Sequence, residues 1–413
     1  MSSDTRKGRP RRLLPLAASV LLAATVVLGL SACGGSSSGG SSGDKIVIGA
    51  AIPISGELAG FGSFEKWGYE HAVDAVNAKG GLKVDGEKKE VELKLLDDKS
   101  DPNTDSSSVQ RLISQDKVSA MLGSCTPPLV NAGAVIAERS RIPFVTPCEP
   151  LGAFRAVKEW EYAWAIFFDE KEDTENTFKM LEDLGLGAKT NKKVAILHDN
   201  EPDGINFSKL WEEAAKKFGY DVVLDEQFPV AQTTFNTTVT KAKASEADIV
   251  LGQMVTPAAI AVRKTMAAQG YTPKVMALEK GDEPIQFAEA VGELANGLLI
   301  PTYWDPSFPY PGAKELRQEF ENETGQTYSQ HIADTTAAAE VLLAAIEAAG
   351  STEAEAINKA IGETNMETVV GPVEFAEDHT ATLPLVEAQW QNGESIVVWP
   401  EDKATGKIIF PLP

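Results

Sequence analysis

Cysteine and histidine are scarce in this chain of 413 residues, numbering three and four. His71, His198, His331 and His379 stand far apart, with no H-x-x-x-H or H-E-x-x-H spacing, so no transition-metal site is expected. No glycine-rich loop leads into Lys-Ser or Lys-Thr, and no G-x-G-x-x-G follows the first strand-like run. Nucleotide chemistry therefore has no support, and no cofactor is expected. Basic side chains number 38 against 60 acidic ones, a net charge of -22, which repels a phosphate backbone and argues against nucleic acid as a partner. The acidic run Asp97-Asp98-Lys99-Ser100-Asp101 lacks the turn glycine and closing glutamate of a calcium loop and reads as a loop leading into a helix cap.

What is present is enough for a globular body: 43% hydrophobic and 24% charged residues can build a core, and the length suits two or three domains of ~150 residues. Charge is uneven at the start, where Arg6, Lys7, Arg9, Arg11 and Arg12 face Asp4 alone. An apolar run from Leu13 to Leu30 follows, then Leu30-Ser31-Ala32-Cys33. That order reads as a signal peptide over 1–32 ending in a lipoprotein cleavage box, with Cys33 lipidated as the mature N-terminus. The run is also long enough to just span a bilayer uncleaved. Residues 34–43 are all glycine or serine and read as a flexible tether; the G-x-S-x-G within them lacks the strand-turn-helix context of a hydrolase elbow. The expected location is extracytoplasmic, with lipid anchoring to the outer face of the cell membrane.

From Lys45 onward, short β-branched runs alternate with segments whose apolar residues recur at three and four, the pattern of a layered α/β protein. Expected strands are 45–52, 91–96, 118–123, 142–146, 193–198, 221–226, 248–252 and 274–278. Expected helices between them are 64–78, 104–115, 129–139, 205–218, 235–244 and 257–269. The tail breaks this rhythm with helices over 312–323, 333–349 and 352–361 and then extended runs, and Pro301 to Pro306 reads as a crossover. The alternation on either side of residue 165 predicts two similar lobes: 44–165 with 299–378, and 166–298 with 379–413. Cys125 and Cys148 each follow a strand-like run, so adjacent parallel strands would bring them together as a disulfide in an oxidising compartment; two free thiols are the alternative. In an open parallel sheet the site lies beyond the carboxyl ends of the strands. There the sequence gathers small residues, aromatics and carboxylates, which suits a binding cleft and offers no catalytic constellation.

The landmarks Ile48-Gly49-Ala50 with Ser55-Gly56, Asn77-Ala78-Lys79-Gly80-Gly81, Asp97-Asp98 with Asp101-Pro102, Leu122-Gly123, Ile142-Pro143 with Thr146-Pro147, His198-Asp199 with Gly204, and Gly371-Pro372 occur in this order. Nearly all of 44–413 thereby resembles the solute-binding proteins of branched-chain amino acid ABC transporters, the leucine/isoleucine/valine-binding family with its type I periplasmic binding protein fold. The resemblance implies two Rossmann-like lobes, each a parallel-type sheet flanked by helices, joined by crossover strands. It implies a non-enzymatic, monomeric protein that closes on a small-molecule ligand and delivers it to ABC permease subunits. Sensing for a membrane receptor, or hydrolysis by cleft acids, are the alternative uses.

By the same resemblance Phe61 packs on the ligand side chain, Glu279 meets an ammonium group, and loops 123–128 and 147–150 hold a carboxylate through hydroxyls and backbone N–H groups. This sequence departs where the family has a serine, placing Pro127 there, with Ser124 or Thr126 to substitute. Asp203 replaces a tyrosine, and another tyrosine aligns near Val255, with Gln253 beside it. Glu149, Asp203 and Glu279 would then face one cleft, and unpaired buried charges of one sign are costly, so a polar, hydroxylated or cationic ligand is expected ahead of leucine. Trp164 and Phe168 are candidate walls, His331 a candidate contact before a helix, and Cys148 a contact through its backbone.

Overall fold

The computed structural model describes residues 45–413; the leader, Cys33 and the tether lie outside the described residues. The first lobe begins with β1 (Ile46–Ile52), α1 (Ala59–Ala78), the hairpin β2 (Leu82–Val84) and β3 (Glu87–Lys89), β4 (Val91–Asp97), α2 (Pro102–Ser114) and β5 (Ala120–Leu122). It continues through α3 (Pro127–Ser140), β6 (Phe144–Thr146), α4 (Leu151–Val157) and β7 (Ala163–Phe167). The second comprises α5 (Glu170–Asp183), β8 (Lys193–Asp199), α6 (Pro202–Phe218), β9 (Asp221–Phe228), α7 (Asn236–Ala244), β10 (Ile249–Gln253), α8 (Thr256–Ala268), β11 (Val275–Glu279), α9 (Ile285–Val291) and β12 (Leu299–Thr302). The tail adds α10 (Ala313–Thr324), α11 (His331–Ala349), α12 (Ala354–Gly362), β13 (Asn365–Thr368), β14 (Gly371–Glu374), β15 (Thr380–Thr382), β16 (Val386–Gln391) and β17 (Glu394–Trp399).

These strands form a six-stranded sheet ordered β15-β7-β6-β5-β1-β4 and a seven-stranded sheet ordered β17-β16-β12-β11-β10-β8-β9. Parallel pairing runs through the first sheet and from β9 to β12 in the second, where β16 and β17 join antiparallel. Central strands covered on both faces read as continuous apolar runs, as in Ile-Val-Ile-Gly-Ala-Ala-Ile of β1, which is buried at all but one position. The edge strand β9 instead alternates exposed and half-buried residues, as an edge with one solvated face should.

The chain crosses between sheets after β7, after β12 and after β15. Two expected boundaries move by a few residues: Leu299–Thr302, assigned to the first lobe, hydrogen-bonds in the second sheet, and Thr380–Thr382, assigned to the second, pairs with β7 in the first. A strand's lobe is set by its hydrogen-bonding neighbour, and residue composition around the crossover does not report that. The strand β7 and helix α5 carry no clear sequence signal. α5 buries Glu170, Asp173, Thr174, Asn176 and Thr177 and turns apolar only at Phe178, Met180 and Leu181, so the first half of its inner face is polar and its apolar periodicity weak.

Local chemistry explains most element ends. Asp101 caps α2, its carboxylate accepting from the Thr104 N–H at 2.7 Å, with Pro102 at the first helical position. Gly219 ends α6 in the left-handed region at φ 77°. α1 starts at Ala59, five residues before the sequence pattern predicts, because Gly60 and Gly62 dilute its apolar stripe. Gly62 is required there, since a Cβ would collide with the Pro53 carbonyl at the end of β1. Gly68 in the same helix faces Thr335, and a side chain would push α1 off α11.

Candidate ligand-binding site

The carboxyl ends of the two sheets face each other across a cavity lined by Phe61, Thr126, Pro127, Cys148, Pro150, Phe167, Phe168, Asp203, Phe207, Gln253, Glu279, Lys280, Glu283 and His331. The space open to the centre of a water molecule is about 30 Å³, enough for about one or two waters, so the lobes are closed on each other. His331, at the start of α11 in the first lobe, reaches Glu283 of the second, Nε2 to Oε2 at 3.3 Å.

The first lobe's wall is apolar and covalently braced. Phe61 sits edge-on to the His331 ring with centroids 4.9 Å apart, and Phe167 lies 4.4 Å from Phe168. A disulfide joins Cys125 and Cys148, whose Cα atoms are 4.9 Å apart, tying the loops after β5 and β6. The adjoining backbone is strained: Thr126 and Cys148 hold φ of 73° and 65°, as does Lys280 at 65° across the gap. Side chains with a Cβ rarely adopt such angles, and they concentrate where a binding surface over-determines the chain.

The second lobe's wall is charged. Lys280 donates to Glu201 at 2.7 Å and Asp203 at 2.9 Å, with Asp199 close enough to contribute. Burial would lower the lysine's pKa, but Asp203, Glu201 and Asp199 more than offset it and raise it above the ordinary lysine range. Asp199 is raised to about 7, by burial first and then by Asp203 and Glu201 against the opposing pull of Lys280. Glu279 is 3% exposed, and burial with the neighbouring Asp173, Glu283 and Asp282 lifts its carboxyl well above the usual range. Its Oε2 finds no hydrogen-bond partner among the described residues. Burial would likewise lower the His331 pKa, yet Asp334 and Glu283 hold the ring protonated and raise it to about 9.

Phe61, Thr126, Pro127, Cys148, Phe168, Asp203, Gln253, Glu279 and His331 were expected at a site and line this cavity together. Four expected residues do not. Ser124 Oγ donates to the buried Asp98 at 2.9 Å, beneath the loop. Glu149 is buried behind the wall and accepts from Asn131 at 2.7 Å. Trp164 stacks on His379 with centroids 3.6 Å apart, and its indole N–H donates to Asn358 at 2.8 Å, which places it at the far edge near α12. Val255 is core, its carbonyl accepting the first bonds of α8 from Ala258 and Ala259. The expected trio of carboxylates thus reduces to Glu279: Glu149 is withdrawn and Asp203 is matched by Lys280.

Residues that sequence reading did not single out are Phe167, Phe207, Lys280 and Glu283, while Pro150 was reached only as the end of the loop 147–150. Lys280 and Glu283 were legible in principle, since both follow β11 directly. Phe167 needed recognition of β7, and Phe207 needed the helical offset from Asp203 on α6.

Two α/β lobes closed around a cavity at their strand ends define a two-lobed binding protein of the type I class. The sequence profile of the family described as "Periplasmic binding protein" matches residues 45–395, and the chain belongs to that family. The Leu/Ile/Val-binding protein homolog 7 of Brucella melitensis biotype 1 is 24% identical over 389 residues, covering 89% of this chain and 94% of that protein. The leucine binding protein LivK of Thermotoga maritima superposes with a TM-score of 0.78 at 23% identity, over 86% of this chain and 99% of its own. LivJ of Streptococcus pneumoniae, the substrate-binding protein of a branched-chain amino acid transporter, solved with isoleucine, gives 0.77 at 22% over 85% and 97%. At such identities the structures speak for the fold. The protein is a periplasmic binding protein with the type I fold.

Proposed function

We propose that this protein is a lipid-anchored, extracytoplasmic solute-binding protein of an ABC importer, which captures a small polar molecule between its lobes and delivers it to permease subunits. The ligand class is an amino acid or a related amide, polyol or amine. One observation carries the reading: Phe61 and Glu279, from different lobes, line one enclosed cavity at the strand ends. A cavity this small admits a ligand only when the lobes part, so binding proceeds by opening and hinge closure. The His331–Glu283 contact joins the two lobes in this closed arrangement. The site supports binding and not hydrolysis, because Asp203, the partner Glu279 would need in a carboxylate pair, is tied to Lys280. Cys33 serves as the anchor and residues 34–43 as the tether.

The test is native mass spectrometry of the full chain, purified in detergent from its own host. A small molecule released on denaturation, together with a diacylated Cys33 at the mature N-terminus, is the expected result. Absence of any released molecule, combined with no rise in melting temperature across amino acids, amides, polyols and amines, would sink the reading.

A further inference from the structure

The polar lining of the cavity is one-sided. Asp203 Oδ1, Gln253 Oε1 and Glu279 Oε2 are all buried and find no hydrogen-bond partner among the described residues. Asp203 and Gln253 present acceptors here, and Glu279, whose proton burial makes harder to lose, presents a further one when a cation beside it draws that proton off. The Gln253 assignment is fixed by its amide nitrogen, which donates to Asp203 Oδ2 at 3.3 Å; a flipped amide would set two oxygens against each other. Thr126 Oγ1 is also buried without a partner, and a hydroxyl can serve either way. Unmet buried acceptors are destabilising, so an occupant that completes this cavity brings N–H groups.

Donors for an anion are missing from the place where the fold normally supplies them. The start of a helix ordinarily leaves its first N–H groups free to hold an anion. In α3 the first two positions are Pro127 and Pro128, which have no N–H, while Leu129 and Val130 both donate to the Thr126 carbonyl at 3.2 and 3.0 Å. The Thr126 N–H itself donates to the Cys148 carbonyl at 3.1 Å. At α4, Pro150 has no N–H, Leu151 donates to Phe168 and Gly152 to Glu170. The cations that line the cavity are also engaged: Lys280 by Glu201 and Asp203, His331 by Asp334 and Glu283. The remaining surface is the face and edge of Phe61, Phe167, Phe168 and Phe207.

We infer that the ligand is an organic cation with an N–H-bearing head, a primary ammonium or amidinium on a compact apolar body, and without a carboxylate. Glu279 takes the charge, Gln253 and Asp203 accept further N–H groups, and the phenylalanines enclose the body, with cation–π attraction adding to the fit. A zwitterionic amino acid would press its carboxylate against prolines and matched carboxylates, with the Thr126 hydroxyl as the one unengaged side-chain donor on that wall. This rests on the proposed capture function and narrows its ligand class.

Matched ligands separate the possibilities on the wild-type full chain in detergent, by calorimetry and melting temperature. The sets are phenethylamine, phenylalanine and 3-phenylpropionate, and isoamylamine, leucine and 4-methylpentanoate. At least one amine is expected to bind ten-fold or more tightly than its amino acid, the carboxylate-only member not at all, and Glu279→Gln to weaken the amine at least ten-fold with circular dichroism unchanged. An amino acid that binds as tightly as its amine overturns the inference and leaves the capture function standing. No binding by either amine also overturns it; the mass spectrum of host-purified protein then tells whether the capture function falls as well.

Discussion

The two walls of the cavity are built on opposite principles. The first lobe contributes phenylalanines, prolines, a disulfide and one cation, His331, already engaged by Asp334 and Glu283, and the starts of α3 and α4 are stripped of free donors. The second contributes Phe207 and, around it, Asp203, Gln253, Glu279, Lys280 and Glu283, a mosaic of acceptors about one locked cation. Both sheets expose the same strand ends, so topology is not the source of the contrast. It comes from the few residues that follow each strand, which differ in whether they can hold charge. The first wall is suited to fix shape, the second to fix charge.

Removing the charge from the second wall should have the largest effect. Glu279→Gln is expected to cost ~3 kcal/mol of ligand binding, about a hundredfold in Kd by calorimetry, as loss of one partner of a buried charged pair does. The unliganded fold should be unharmed, since the carboxyl is already held above its ordinary pKa by burial. An unchanged Kd would show that the contrast between walls has no bearing on affinity.

The corresponding break in the first wall is the disulfide. Replacing Cys125 and Cys148 together by serine opens a cross-link between residues 23 apart and should lower unfolding free energy by about 3 kcal/mol in chemical denaturation. Affinity should fall too, because the loop holding Thr126 and Pro127 loses its brace. Full affinity at reduced stability would limit the first wall to a structural part.

The contact that joins the walls should matter less. His331→Gln, which keeps a hydrogen-bonding side chain but not the charge facing Glu283 and Asp334, is expected to weaken binding by about tenfold by favouring the open state. Small-angle scattering should show a larger radius of gyration without ligand. No change in either would mean the contact follows closure without favouring it.

On one property the lobes should not differ. Burial raises Asp98 to about 6 and Glu340 to about 7 in the first lobe, and Asp199 to about 7 and Glu387 to about 8 in the second. Each binds its proton more tightly folded than unfolded, so stability is highest below the ordinary carboxyl pKa and falls as pH rises through the folded value. His331, raised to about 9, adds in the same sense, contributing below its ordinary value near 6.5 and losing that contribution as pH approaches 9. The melting temperature of ligand-free protein should therefore decline steadily between about pH 5 and 9. A melting temperature that rises over that window contradicts the burial of these acids.

The legibility of the molecule followed the same divide between chemistry that is local and chemistry that is assembled. The strands β1, β8, β10 and β11 were readable because a parallel strand buried on both faces must be a short apolar run, and chain order then placed the site beyond their carboxyl ends. Phe61 and Glu279 were found in that way, as was the pairing of Cys125 with Cys148 as a candidate. β7 and α5 were not readable, since the first half of α5 buries polar residues and the period of its apolar residues is faint. Glu149 and Asp203 looked alike in the sequence, both acids a residue or two beyond a proline or strand end. Asn131 draws the first behind the wall and Lys280 matches the second, and neither partner is near in sequence.

By itself, then, the sequence determined the layered class, the alternation that yields two lobes and the positions of the loops at the strand ends, because these depend on periodicities within a few residues of each other. Only the tertiary structure decided which carboxylates stay unpaired, which helix starts have donors to offer and to which sheet β12 and β15 belong. Apart from the two prolines that open α3, those outcomes turn on hydrogen bonds and charge pairs between residues tens to hundreds of positions apart, and burial sets their worth only once the lobes have closed.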